Sequence, residues 1–267
     1  MDKERAGETP LKRRLRLVRT LARDDFKSRY ANAQLGIFWA FFRPVVMAAV
    51  YILVFSVIAR ATPVGNQYPY ALWMLPGLIV WFAFSDSVSS GVTTLRDYSY
   101  LVKNIRFDVS ILPGVKVAAA FIVHTFFILL LLVLYLAWGL PIRLSLLQLP
   151  YYYAATFFFS LTAVRIVSTV WPFFKDLSAL VEIVLMVGIW ACPIMWSLDM
   201  IPEKFHLIFR LNPLYHLVLG YRESFMGGGW IWDHPLELAV FWAVTLLLAL
   251  CANRLYRWLG DRFADVI

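Results

Sequence analysis

Charge is scarce in this chain of 267 residues: Asp, Glu, Lys and Arg make up only 16% of it. An ordinary soluble domain carries about 25%. Apolar residues reach 61% and the mean hydropathy is +0.69. That balance excludes a packed aqueous core and fits a chain that shows apolar side chains to lipid. Cysteine is scarcer still. Cys192 and Cys251 lie within or near apolar runs, have no metal-ligand spacing and give no reason to infer a disulfide. The four histidines, His124, His206, His216 and His234, are scattered. No G-x-x-x-x-G-K-[ST] phosphate loop is present, so the chain is not expected to hydrolyse ATP by itself. Neither H-E-x-x-H, C-x-x-C nor G-x-S-x-G occurs, which leaves no candidate catalytic residue and no candidate metal site. No cleavable signal peptide is expected either, because the first 34 residues are strongly charged and the first apolar run is long enough to span.

What is abundant is long apolar sequence. Six stretches reach the length needed to cross a bilayer, about 20 residues each. They are Ile37–Ala59, Tyr70–Val88, Val117–Trp138, Tyr151–Trp171, Leu177–Trp196 and Leu236–Leu255. No linker or repeat divides them, so residues 1–267 read as one all-α polytopic membrane domain with a six-span core over 37–255. The net charge of +8 is no argument for nucleic acid here. With the N-terminus inside, 18 of the 25 Lys and Arg fall in inside segments, 5 outside and 2 within spans. The positive-inside rule therefore puts both termini in the cytoplasm.

Three non-spanning regions stand out. In residues 11–34, Leu11, Leu15, Val18, Ala22 and Phe26 recur every three or four positions among basic residues. That is a basic amphipathic helix suited to the inner interface; its plainer reading is an orientation signal. Asp24-Asp25 within it reads as charge balance or capping. Residues 95–116 form the longest internal inside loop, where Asn104–Ser110 can make a short helix stopped by Pro113 and Gly114. Residues 197–234 are too apolar for a solvated loop and too interrupted for a span. The break at Asn212-Pro213 suggests a re-entrant helical hairpin in the outer leaflet.

Charge inside the spans is costly and therefore informative. Arg165 can pair with Glu182 or with Asp86, which makes the three an intramembrane charge network. Arg43, next to Trp39, Phe41 and Phe42, is the better candidate for a translocation path, since a guanidinium can meet an anionic headgroup. Aromatics make up 17% of the chain. Trp39, Phe42, Tyr51 and Trp190 suit either a sugar-stacking path or an interface belt.

Several motifs, in order, resemble the type-2 ABC exporter permeases that move lipid-linked polysaccharides and teichoic acids. They are Arg29-Tyr30 with Leu35-Gly36-Ile37-Phe38-Trp39 and Pro44, then Trp73-Met74-Leu75-Pro76-Gly77-Leu78 with Trp81-Phe82. Leu101-Val102-Lys103-Asn104, Phe107 and Ile111-Leu112-Pro113 follow, then Phe174-Lys175-Asp176, where Lys replaces the usual Arg. Pro193-Ile194, Leu211-Asn212-Pro213, Gly220-Tyr221-Arg222 and the closing Arg262-Phe263-Ala264-Asp265-Val266-Ile267 complete the set. The runs around Trp73 and Asn212 look most like the wall teichoic acid branch; O-antigen and capsule permeases share much of the pattern. The resemblance implies a pair of copies with spans one and five lining a path. It also implies two copies of a separate ATPase that carries ATP and Mg²⁺. Lys103, Asn104, Ile105, Arg106, Phe107 and Asp108 would dock on that ATPase, and Asn212, Pro213, Tyr221 and Arg222 would build the external hairpin. The cargo would be an anionic polymer on a polyprenyl diphosphate lipid, crossing the cytoplasmic membrane of a bacterium. A membrane enzyme acting on polyprenyl phosphates is the competing reading.

Overall fold

The computed structural model of the protein describes residues 9–31, 33–58, 68–103 and 107–266. Among them there are helices and turns and no strand. The main elements are α1 (Pro10–Ser28), α2 (Phe38–Ile52, continued as a π-helix over Leu53–Ile58), α3 (Tyr70–Val92) and α4 (Leu112–Ala137). They continue with α5 (Leu149–Val170), α6 (Leu177–Ala191), α7 (His206–Arg210), α8 (Pro213–Met226) and α9 (Pro235–Leu259).

Five continuous helical stretches are long and apolar enough to cross a membrane: Phe38–Ile58, Tyr70–Val92, Val109–Ala137, Leu144–Val170 and Pro235–Leu259. The remaining expected span is shorter than its hydropathy implies. α6 has 15 residues, about 22 Å at 1.5 Å per residue, against a hydrocarbon core of about 30 Å. The expected helix over Cys192–Trp196 does not form. Pro193 disfavours α geometry in the residue before it, and Cys192 is extended at φ −110°, ψ 132°.

α3 is the axis of the bundle and packs on α4, α5, α6 and α8. Leu72, Met74, Leu78 and Val80 are fully buried along it. Pro76 sits inside this helix. Lacking an N–H, it leaves the Leu72 carbonyl without its helical donor, and the Tyr135 hydroxyl donates to that oxygen at 2.9 Å. In lipid, close packing holds helices together where water would supply a hydrophobic drive. Two glycines permit it. At Gly188 a Cβ would meet the Trp81 ring at 2.7 Å, and at Gly220 it would lie inside the Tyr152 ring.

α4 begins earlier than hydropathy suggests. Asp108 caps the preceding turn, its Oδ1 accepting from the Ser110 N–H at 3.2 Å and the Ser110 hydroxyl at 2.6 Å. Pro113 then stands in the first turn, where its missing N–H costs nothing. Pro113 and Gly114 thus open a helix rather than stop one. Of the expected Asn104–Ser110 helix, Asn104, Ile105 and Arg106 lie outside the described residues. Phe107 and Asp108 are non-helical, and Val109–Ile111 is a 3-10 turn running into α4.

α1 is helical over most of the predicted stretch. Ala22 and Phe26 of its apolar stripe are buried, whereas Leu11 and Leu15 are exposed. Its second half therefore rests on the protein and its first half presents leucines beside arginines, the face an interfacial helix offers to lipid. α2 is the least covered long helix: Ala40 is its one buried residue. α6 likewise buries only Val181 and Ile189.

Candidate functional site

At the α1 end of the bundle four helices and a loop meet on charge. Asp25 is buried, and its Oδ2 accepts from Arg29 Nε at 2.8 Å. Its Oδ1 accepts from Lys116 Nζ at 2.7 Å and from the Tyr98 hydroxyl at 2.9 Å. Lys116 also reaches Asp97 at 3.0 Å, and Arg29 reaches Asp86 at 3.3 Å. Burial by itself would raise the Asp25 pKa; Arg29 and Lys116 outweigh it and hold the carboxyl below its usual range. Farther along α1, Arg14 pairs with Asp108 at 2.5 Å. The helix is therefore fastened twice to the segment 95–108, once to α4 and once to α3.

This arrangement corrects two sequence expectations. Asp25 is not a surface charge balance but the hub of a buried cluster. Asp86 pairs with Arg29, the cap of α1, and not with Arg165. Among the described residues Arg165 and Glu182 form no ion pair with each other or with Asp86. They lie on different walls: Arg165 of α5 is within electrostatic range of Tyr256 on α9, and Glu182 of α6 faces a cavity. The missed signal was the basic helix itself, whose Arg29 lies seven residues short of the first apolar run.

Above the cluster a cavity of about 430 Å³ opens between α2, α3, α4 and α6. Trp39, Arg43, Asp86 and Glu182 line it, joined by Tyr30 and His124. Arg43 lies 5.9 Å from the Trp39 ring centroid, and among the described residues it has no carboxylate partner. The cavity thus offers one exposed guanidinium, an aromatic wall and two carboxylates, one of them already neutralised by Arg29. Phe42, Tyr51 and Trp190 do not line it. Phe42 stacks on Phe38 at 4.9 Å, Tyr51 packs against the core, and Trp190 is exposed beside Phe55. Lys103 is exposed, and Phe107 packs partly into the inner apolar cluster.

The other end is built around α8. Asn212 caps it, with Oδ1 accepting from the Leu214 N–H at 3.0 Å, and Pro213 fills its first turn. The predicted break is therefore real, and α8 is deeply placed. Leu217, Val218 and Tyr221 are fully buried, and the Tyr221 hydroxyl meets His124 Nε2 of α4 at 2.7 Å.

Backbone freed where α6 ends cannot stay unpaired at membrane depth, and side chains answer it residue by residue. Trp196 Nε1 donates to Trp190 O at 3.2 Å and Asn212 Nδ2 to Ala191 O at 3.3 Å. The Ile194 N–H donates to Cys192 O at 2.7 Å. Arg222 donates to Pro193 O at 2.8 Å and to Ile194 O at 2.5 Å, and Tyr70 donates to Met195 O. Arg222 also donates to Trp73 O at 3.2 Å and lies 3.7 Å over the Trp73 ring. Sequence reading placed Arg222 in the hairpin; its work is to tie α8 to α3 and to the unwound end of α6.

The sequence pattern of the ABC-2 type transporter matches residues 16–226. The chain is 26% identical over 253 residues to an O-antigen export system permease protein RfbA of Klebsiella pneumoniae, covering 94% of this chain and 95% of that one. It is 27% identical over 257 residues to the protein of the same description from Myxococcus xanthus, with the same coverage. Chains of this family are multi-pass permeases and not enzymes by themselves. On a match spanning α1 to α8, the chain belongs to the ABC-2 type transporter family.

Proposed function

We propose that this chain is the membrane subunit of an ATP-driven exporter of a lipid-linked surface polysaccharide of the O-antigen kind. The observation that carries the reading is end-to-end similarity to O-antigen export permeases within a matched transporter family. These relatives favour that cargo over the teichoic acid that the sequence motifs put first.

In this reading both termini face the cytoplasm of a bacterium, and α6 with the unwound Cys192–Trp196 completes a sixth crossing. The segment 197–234 holds the re-entrant hairpin. Two copies pair through the sparsely buried α2 and α6, and two copies of a separate ATPase dock below with their own ATP and Mg²⁺. The docking surface is the 95–108 segment, with Lys103, Phe107 and Asp108 among its contacts. Nucleotide-driven movement there passes through Asp108–Arg14 and Tyr98–Asp25 into α1, and through Arg29–Asp86 into the cavity wall. Arg43 meets the anionic headgroup of the lipid carrier at the cavity mouth.

Removing the gene from its host and extracting lipid-linked polymers tests this directly. An O-antigen-type glycan on its lipid should accumulate inside the cytoplasmic membrane, and the chain should co-purify with an ATPase. An unchanged polymer distribution would overturn the proposal. So would turnover of a polyprenyl phosphate by the purified chain alone, which is the enzyme reading.

A further inference from the structure

The connection between α4 and α5, residues 138–148, is built inside out for a segment in water. Its last five residues, Leu144–Gln148, form a 3-10 helix, in which side chains three positions apart stand one above the other. Leu144 and Leu147 therefore share one face, and Ser145 and Gln148 share another. The apolar face is the open one. Leu144 is 76% and Leu147 73% exposed, against 8% for Ser145 and 2% for Gln148. Trp138 and Ile142 are exposed as well. The buried polar pair bonds to backbone beyond α8. The Ser145 hydroxyl donates to Ser224 O at 3.0 Å. The Gln148 amide donates to Gly229 O at 3.1 Å and accepts from the Ile231 N–H at 2.7 Å. The one charge in the connection, Arg143, donates to the Tyr68 hydroxyl at 3.1 Å.

Contiguous apolar surface is rare where a protein meets water, and it marks a membrane or a partner protein. Continuity and depth favour the membrane. Leu129, Val133 and Leu136, spaced by four and three, run exposed along α4 toward Trp138. The patch thus prolongs the face that α4 turns to lipid. α5 has 22 residues, about 33 Å at 1.5 Å per residue. Its start, which Leu147 adjoins, therefore lies near the edge of a hydrocarbon core of about 30 Å. The loop that Gln148 holds carries Trp232, exposed and stacked on Trp230 at 5.2 Å. Indole rings concentrate at this depth.

We infer that residues 138–148 lie in the acyl–headgroup boundary of the leaflet at the α8 end, with Ile142, Leu144 and Leu147 in lipid. The partner of this surface is the bilayer. Ser145 and Gln148 then fasten the loop after α8 to the membrane surface, so the leaflet holds that loop as well as the helices that cross it. The inference needs α4 and α5 to span and does not rest on the export reading.

The test uses the full chain in nanodiscs of phosphatidylethanolamine and phosphatidylglycerol, with nitroxide labels read by electron paramagnetic resonance. Labels are placed at Leu144→Cys and Leu147→Cys in a Cys251→Ser background, Cys192 being buried. Val133→Cys on α4 marks lipid, and Lys103→Cys, at an exposed loop position, marks water. Oxygen concentrates in hydrocarbon and a nickel chelate stays in water. The oxygen-to-nickel collision ratio at both positions should approach that of Val133→Cys and stand about 5-fold or more above that of Lys103→Cys, as for an element seated in the interface. Ile142→Cys supplies a third position if either 3-10 variant fails to fold. A ratio like that of Lys103→Cys would place the connection in water. Shielding from both reagents would place it under protein. Either result overturns the inference.

Discussion

Neutralising Asp25 tests whether the inner charge cluster holds α1 to the bundle. Breaking a buried ion pair by removing one partner costs about 3–5 kcal/mol, mostly because a bare charge stays behind. Here neither cation is left bare. In Asp25→Asn, Lys116 keeps Asp97 at 3.0 Å and Arg29 keeps Asp86 at 3.3 Å. The expected loss is therefore nearer that of one charged hydrogen bond, about 2 kcal/mol. Asp97 is partly exposed, so Asp97→Asn alone should cost less than about 1 kcal/mol. The double variant strips Lys116, whose side chain is 5% exposed, of both its carboxylates. It should cost about 4 kcal/mol or more and exceed the sum of the singles by about 1 kcal/mol. Reversible unfolding in mixed micelles titrated with dodecyl sulfate, followed by tryptophan fluorescence, measures all three. An Asp25→Asn effect below about 0.5 kcal/mol, the range of an ordinary surface change, would refute the hub. So would strict additivity. The pH dependence follows from the same contacts. The folded carboxyl titrates below its ordinary value of 3.8, so its stabilisation is complete above about pH 4 and is lost as pH falls through the folded value. Wild type and Asp25→Asn should keep a constant gap from about pH 5 to 8 and converge only in stronger acid.

Other consequences are as direct. Arg222→Lys keeps the charge but loses the fork that reaches Trp73 O, Pro193 O and Ile194 O; it should cost about 3 kcal/mol in the same unfolding assay. Arg210→Lys, at a 42% exposed side chain, should cost under about 1 kcal/mol. Tyr135→Phe should cost about 1–3 kcal/mol in wild type, because the Leu72 carbonyl loses its donor. It should cost measurably less beside Pro76→Ala, which restores a helical N–H to that oxygen; equal costs in the two backgrounds would dissociate Tyr135 from Pro76. Arg43→Ala should leave stability within about 0.5 kcal/mol and lower polymer export in complemented cells; full export would remove Arg43 from the path.

Among the described residues, hydropathy located each helix long and apolar enough to span, because a span's length and apolarity are local properties. It misplaced the ends that depend on distant partners. Lys116 looked like the edge of a span, yet it lies buried inside α4, because Asp25, 91 residues away, neutralises it. Trp196 looked like the end of another, yet Pro193 ends α6 at Ala191, and residues from Tyr70 to Arg222 satisfy the carbonyls beyond it. The Asn212-Pro213 break was legible, since a capping amide and a first-turn proline act on their own neighbours. Of the path candidates, Trp39 and Arg43 line the cavity and Phe42, Tyr51 and Trp190 do not. Helical periodicity cannot decide this within a wholly apolar run, because nothing polar marks the inner face.

The separation between Asp25 and Lys116 sets an order on assembly. α1 leaves the ribosome first, with Asp25 and Arg29 already one helical turn apart and able to pair in the wet interface. Asp86 follows, and Asp97, Tyr98 and Lys116 only later, when the third long helix is being made. Until then Asp25 has no reason to leave water, and the leucine stripe of α1 can stay on the lipid surface. α1, made before the helices it packs on, is thus seated after them, and its seating reports that α2, α3 and α4 have found one another.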